Sequence, residues 1–175
     1  MTLCEMIEAS ARLLEIDKDS EGFKEFFVDA LNLAYLTVAR DKWRPIKREK
    51  MSVCRGKIRV DGLSEHFVSL KGAFDQNGTR LCSRTVKDFI IVPEGITSVF
   101  VEYYYLPPEM EEEDEPSISS SFVDPHAYIF FALSLYCSAK KLHGEAAMWD
   151  TRYRNIIDNV KEVRANFIMP EREWR

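Results

Sequence analysis

The chain of 175 residues is short of the residues that usually build compact catalytic and cofactor sites: it has three histidines, four cysteines and seven glycines. None of the glycines falls in a G-x-x-x-x-G-K or G-x-G-x-x-G pattern, so nucleotide binding through a glycine-rich phosphate loop is not supported. Cys4, Cys54, Cys82 and Cys137 are far apart, with no C-x-x-C pair and no histidine at metal-ligand spacing. That spacing argues against a zinc site and against the disulfide framework of a small secreted domain, and a reducing cytoplasm is the expected setting. No apolar run approaches the roughly 18 residues of a membrane span. The start, Met-Thr-Leu-Cys-Glu-Met, has an acid where a signal peptide carries positive charge. A protein neither exported by a cleavable signal nor embedded in a membrane is expected.

What is present is apolar and aromatic. Hydrophobic residues make up 46% and aromatic residues 12%, too many for a disordered chain. One domain of this size, or a small domain carrying an insertion, buries roughly 70% of its unfolded surface. The net charge of −5 leaves no overall electrostatic footprint for nucleic acid. The charges are uneven: Glu109 to Glu115 holds six acids in seven positions, and Lys42 to Lys50 is a basic counter-cluster. Such runs are usually solvated loops.

Along the chain, Thr2-x-x-Glu5 has capping-box form, and Leu3, Met6, Ile7, Ser10, Leu13 and Leu14 follow at helical spacing, predicting a first helix to about Ile16. Phe23, Phe26, Phe27, Ala30, Leu31, Ala34, Tyr35 and Val38 predict a second helix to about Asp41. Pro45 cannot continue it and pushes Arg44 toward extended geometry. From Ser52 the period falls to two, and five short strands are predicted, with turns at Asp61-Gly62, Gln76-Asn77-Gly78, Val86-Lys87-Asp88 and Pro93-Glu94-Gly95. Leu81 to Val86 counts as one of these strands, and Leu106-Pro107-Pro108 ends the last. Asp124 is placed to cap a third helix, with Pro125 at its first position. That helix runs to about Leu142 and is apolar enough to require burial all round, and Gly144 closes it. Ala146, Trp149, Tyr153, Ile156, Val160 and Val163 mark a fourth helix. The fold class is therefore α+β: a helical bundle of about four helices with a small antiparallel β domain inserted between helices two and three. The expected divisions are 1–50 helical, 51–108 β, 109–121 acidic linker, 122–165 helical and 166–175 a C-terminal arm.

Candidates for chemistry are few. His66 lies in a β-turn region, His126 in the first turn of helix three, and His143 at a helix C-terminus, where it partners the helix dipole. Asp124 with His126 could form a metal or acid–base pair, but capping explains an Asp-Pro helix start completely. No serine or cysteine stands in a nucleophile-elbow context. The acidic run lacks the spacing and the turn glycine of a calcium loop. It reads as a solvated linker or, in a ring around a DNA channel, as a lining that repels phosphate. The arm, with Phe167, Ile168, Met169 and Trp174, is too apolar to leave in water and reads as a docking segment.

The order of these pieces resembles the head-to-tail connector, or adaptor, proteins of tailed bacteriophages. In that family two helices precede a compact β insertion whose last strand reads like Val101-Glu-Tyr-Tyr-Tyr-Leu-Pro-Pro108, and an acidic segment and two further helices follow. Glu111 to Pro116 matches the acidic segment, Val123 to Tyr128 the start of the third helix, and Ala146 to Tyr153 the Ala-x-x-Trp-x-x-x-Tyr-like pattern of the fourth. The resemblance implies a non-enzymatic virion neck protein, made in the host cytoplasm, with no cofactor and no metal. It implies a homo-oligomeric ring, commonly a dodecamer, that docks on the portal protein after DNA packaging and meets other neck or tail proteins. DNA would pass through the channel without specific binding. By position, Phe167, Ile168, Met169, Trp174 and Arg175 would bind the portal, and the turn Asp75, Gln76, Asn77 and Gly78 would face the tail or a neighbouring subunit. Stopper or tail-completion proteins are the alternative in the same class, and a small hydrolase using Asp124, His126 and His66 is the alternative in another.

Overall fold

The computed structural model describes residues 1–160. Helix α1 (Leu3–Leu14) starts with the capping box expected of Thr2 and Glu5: the Glu5 N–H donates to Thr2 Oγ1 at 3.2 Å, and the Thr2 N–H donates to Glu5 Oε2 at 2.9 Å. Its Leu3, Met6 and Ile7 are buried against helix α2 (Phe23–Val38) and helix α3 (His126–Ala139). Helix α2 runs on into a π-helical turn over Ala39–Trp43. The hydrogen bond closing that turn, from the Arg44 N–H to the Ala39 carbonyl at 2.7 Å, holds Arg44 left-handed at φ 47° rather than in the extended geometry expected before proline.

Seven strands follow: β1 (Ile46–Ser52), β2 (Lys57–Arg59), β3 (His66–Phe74), β4 (Arg80–Leu81), β5 (Arg84–Val86), β6 (Phe89–Ile91) and β7 (Ser98–Leu106). They form two antiparallel sheets, ordered β1-β7-β3-β4 and β2-β6-β5. Two expectations are corrected here. The β region begins at Ile46, inside the stretch assigned to helices, because charges on both faces of Ile46–Ser52 hide its period of two. The single strand expected over Leu81 to Val86 is divided at Cys82 and Ser83, and its halves, β4 and β5, belong to different sheets. The two sheets share a core of Ile58, Leu63, Ala73, Ile90, Val92, Val99, Val101 and Tyr103, separate from the helical core.

Helix α3 is shorter than expected. Lys141, left-handed at φ 63°, turns the chain after Ala139, and helix α4 (His143–Ile157) begins at once. Gly144 therefore lies inside the first turn of α4 and closes nothing, and His143 stands at a helix start rather than a C-terminus. Helix α3 is also not buried all round. Ala127, Tyr128, Ile129, Ala132, Leu133 and Cys137 are buried, whereas Phe130, Phe131, Leu135 and Tyr136 are only partly buried at the edge of the core. α4 covers part of this flank, with Trp149 stacked on Phe130 at 5.6 Å and Tyr153 edge-on to Phe131 at 5.1 Å.

The acids of the acidic segment are exposed, as expected of a solvated run, but its backbone is tied down as a strap over α1 and α2. Met110 and Ile118 are buried in the helical core. The buried Asn32 of α2 donates to the Met110 carbonyl at 3.2 Å and accepts its N–H at 2.7 Å. The carbonyls of Asp114 and Glu112 accept the unpaired N–H groups of Leu3 and Cys4, at 2.9 and 3.0 Å, where α1 begins. Met110 within the acids and Ile118 just after them are the apolar anchors, too few to stand out against the charge. No described helix is long and apolar enough to cross a membrane.

Candidate functional site

Two of the sequence-derived candidates explain themselves locally. Asp124 Oδ1 accepts the His126 N–H at 2.9 Å and lies 2.8 Å from His126 Nδ1, with both side chains half-exposed. Burial alone would raise the Asp124 carboxyl, but hydrogen bonds from the His126 backbone and ring, with the charge of that ring, hold it below the usual carboxylate value. The helix begins one residue later than expected, at His126, with Pro125 (φ −55°) in the cap position, and Asp124, one residue before it, holds the first N–H of α3 in the manner of a helix cap. His66 begins β3, far along the chain. The hollows beside it are lined by Leu36, Glu65, Leu106, Pro107, Pro108 and Glu109 on one side and by Arg59, Asp61, Phe67 and Asp88 among others on the second; neither Asp124 nor His126 borders them. Among the described residues no group of three or more His, Cys, Asp or Glu could hold a metal ion.

The turn Asp75–Gly78 joins β3 to β4 and is built to keep its shape. Asp75 Oδ1 accepts the N–H groups of Asn77 and Thr79, both at 2.8 Å, and Gly78 takes φ 82°, which only glycine adopts without strain. Gln76 Nε2 reaches Ser98 Oγ at 3.3 Å, so the turn is braced against the start of β7 while Gln76, Asn77 and Gly78 remain exposed. It is a firm, polar, exposed tip. The proposed portal-binding residues Phe167, Ile168, Met169, Trp174 and Arg175 lie outside the described residues.

The surface that sequence reading missed is the outward face of the four-stranded sheet. Cross-strand register places Lys50 opposite Phe100, Phe100 opposite Phe74, and Phe74 opposite Arg80. Two rings are thus flanked by cations. In the adjacent row Arg48 stands opposite Glu102, and its guanidinium lies 4.9 Å from the Phe100 ring centre and 5.4 Å from that of Phe74. Glu102 is shared by Arg48 at 3.6 Å and Lys71 at 3.4 Å. Gly72 permits this layer, since a Cβ there would press on the Phe74 ring and the Arg80 guanidinium at 3.3 to 3.4 Å. Arg48, Lys50 and Arg80 are exposed. The alternation of Arg48 and Lys50 with Lys47, Glu49 and Met51 was the available signal, but without the partner strand it reads as a plain basic cluster.

The inward face is a polar web over an apolar floor. Glu49 accepts from the Tyr103 hydroxyl at 2.8 Å and from the N–H and hydroxyl of Ser64, with Lys47 3.5 Å away. Lys47 also reaches Glu65 at 2.7 Å. Compared with known protein families and with curated protein sequences, the chain matches none.

Proposed function

We propose that this chain is a structural subunit of the neck of a tailed bacteriophage: a head-to-tail connector that assembles as a ring, docks on the portal after DNA packaging and joins capsid to tail. In this reading it is not an enzyme and carries no cofactor. The observation that carries the reading is the placement of a β unit with its own core between α2 and α3 of a helical bundle, the organisation of the connector family that the sequence resembles. The exposed acidic segment between the β unit and α3 supports it too, because it stands where the family's acidic segment stands in the chain. A ring of identical copies needs two different faces that fit each other. In this reading one of them includes the firm, exposed Asp75–Gly78 tip between β3 and β4.

The test is to mix the purified chain with portal rings and weigh the products by native mass spectrometry. A discrete portal complex carrying a fixed number of copies is expected, and deletion of residues 166–175 is expected to abolish it. Loading only onto portals that already carry an adaptor would assign the chain to the stopper or tail-completion class. No association with either would overturn the neck reading.

A further inference from the structure

We infer that the outward face of the four-stranded sheet is a docking site for the acidic strap, residues 109–115, of a second copy of this chain. The inference rests on the ring reading above and gives that ring its contact. Charge is divided sharply between the two parts of the molecule. Residues 46–106 hold ten Lys and Arg against seven Asp and Glu, while the rest of the chain holds fourteen against twenty-two. The β unit is thus +3 and the remainder −8, a separation that orients one copy against the next.

The two surfaces are complementary in detail. The sheet offers Arg48, Lys50, Lys71 and Arg80 around Phe74 and Phe100, with Glu102 as the single acid among them. On the strap, Lys24 pairs with Glu112 and the N-terminal ammonium with Glu115. Glu109, Glu111 and Glu113 are exposed and have no cation partner among the described residues. The strap cannot turn to its own sheet, because Asn32 and the start of α1 hold its backbone to the bundle. That anchoring also presents the carboxylates already ordered, which lowers the entropy lost on docking. A face that differs from its target makes a head-to-tail contact, and such contacts close into rings when the rotation permits. A phosphate backbone would meet the same cations, but it would also meet the −8 of the remaining chain.

The test uses full-length Lys50→Glu/Arg80→Glu and Glu111→Lys/Glu113→Lys variants, all at exposed positions, loaded on portal rings and weighed. Each variant alone is expected to leave the ring incomplete. Their equimolar mixture is expected to restore a ring of equal composition, because every contact is then again acid to base, and that restoration also shows both variants folded. If either variant alone completes the ring as the wild type does, the docking inference falls while the neck reading stands. If the wild type itself loads no ring, the neck reading falls, and the contact is judged on the free chain by carbodiimide cross-linking of mixed nitrogen-15 and nitrogen-14 copies. Intermolecular links from Lys50 or Lys71 to Glu111 or Glu113, falling roughly tenfold in about 1 M salt, would support it; their absence would overturn it. A fluorescent single-stranded oligonucleotide bound by the wild type and lost only in Lys50→Glu/Arg80→Glu would make the face a nucleic-acid site and overturn the inference as well.

Discussion

The helical bundle and the β unit hold themselves together by different means. Among the described residues the bundle core gathers twenty-four buried side chains from all four helices and the strap, including fully buried Phe27, Leu31, Tyr128 and Leu133. The β core has eight, and around it charged and hydroxyl groups are tied into specific pairs, with Glu49 serving Tyr103, Ser64 and Lys47 at once. Apolar burial is non-directional and tolerates repacking, whereas a polar web fixes one geometry and is costly when half-broken. The contrast is between a bundle held by the quantity of apolar surface it buries and a small β unit held by the specific pairing of its inward polar groups.

The largest expected effect separates the two cores directly. Leu133→Ala in the bundle and Ile90→Ala in the β core each open a cavity at a fully buried side chain and are each expected to cost about 2–5 kcal/mol, so it is where the loss is felt that separates the cores. Denaturant midpoints give the magnitudes, and hydrogen exchange gives the location. Leu133→Ala should speed exchange of α2, α3 and α4 amides and leave β3 and β7 at wild-type rates. Equal acceleration in both regions would break the comparison, because it would make the chain a single cooperative unit.

The next effect concerns the strap, which is polar in composition but belongs to the bundle. Asn32→Ala strands both the N–H and the carbonyl of Met110 in a buried place, at an expected cost of about 1–3 kcal/mol. Cleavage by a glutamate-specific protease within 109–115 should rise with it, while the β unit stays protected. Unchanged cleavage would mean that burial of Met110 and Ile118 alone holds the strap.

A smaller effect is expected at the start of α3. Asp124→Ala removes the acceptor for the His126 N–H and should cost about 1 kcal/mol in thermal or urea unfolding, with Asp124→Asn retaining most of the stability. A loss several times larger would give the Asp124–His126 pair a part beyond capping.

How much of this was legible in the sequence also divides by region. The helices were readable because Leu3, Met6 and Ile7 or Phe23, Phe27 and Leu31 repeat at the helical period and Thr2 with Glu5 fixes a start. The β insertion was readable as a class, since Asn77-Gly78 and Glu94-Gly95 demand turns. Strand β1 was not, because Lys47 and Glu49 face inward and only the web around Tyr103 makes that tolerable. The strap was not, because its anchors are one buried asparagine and backbone carbonyls, which leave no pattern in composition. The basic sheet face needs four strands in register before its residues become neighbours.

The smallest expected effect tests the polar web itself, through pH. Burial alone would raise the Glu49 carboxyl, but hydrogen bonds from the Ser64 hydroxyl, the Tyr103 hydroxyl and the Ser64 N–H, with the Lys47 charge, hold it below the usual value. Burial, and then the same hydrogen bond to Glu49, raises the Tyr103 phenol. The signs are opposite. The unfolded chain binds the Glu49 proton more readily than the folded one, so this contribution is present above the unfolded carboxyl value, about 4.3, and is lost as pH falls through the lower folded value. The Tyr103 contribution is present below the unfolded phenol value, about 10, and is lost as pH rises through the higher folded one. Glu49→Gln removes the acid limb. The stability gap between wild type and this variant, read from urea midpoints with β-unit amide exchange, should therefore be widest near neutral pH and close toward about pH 3. A gap that stays constant across that range would show that the shape of the side chain, and not its charge, holds Ser64 and Tyr103 in place, and the β unit would then be stabilised by packing in the same way as the bundle.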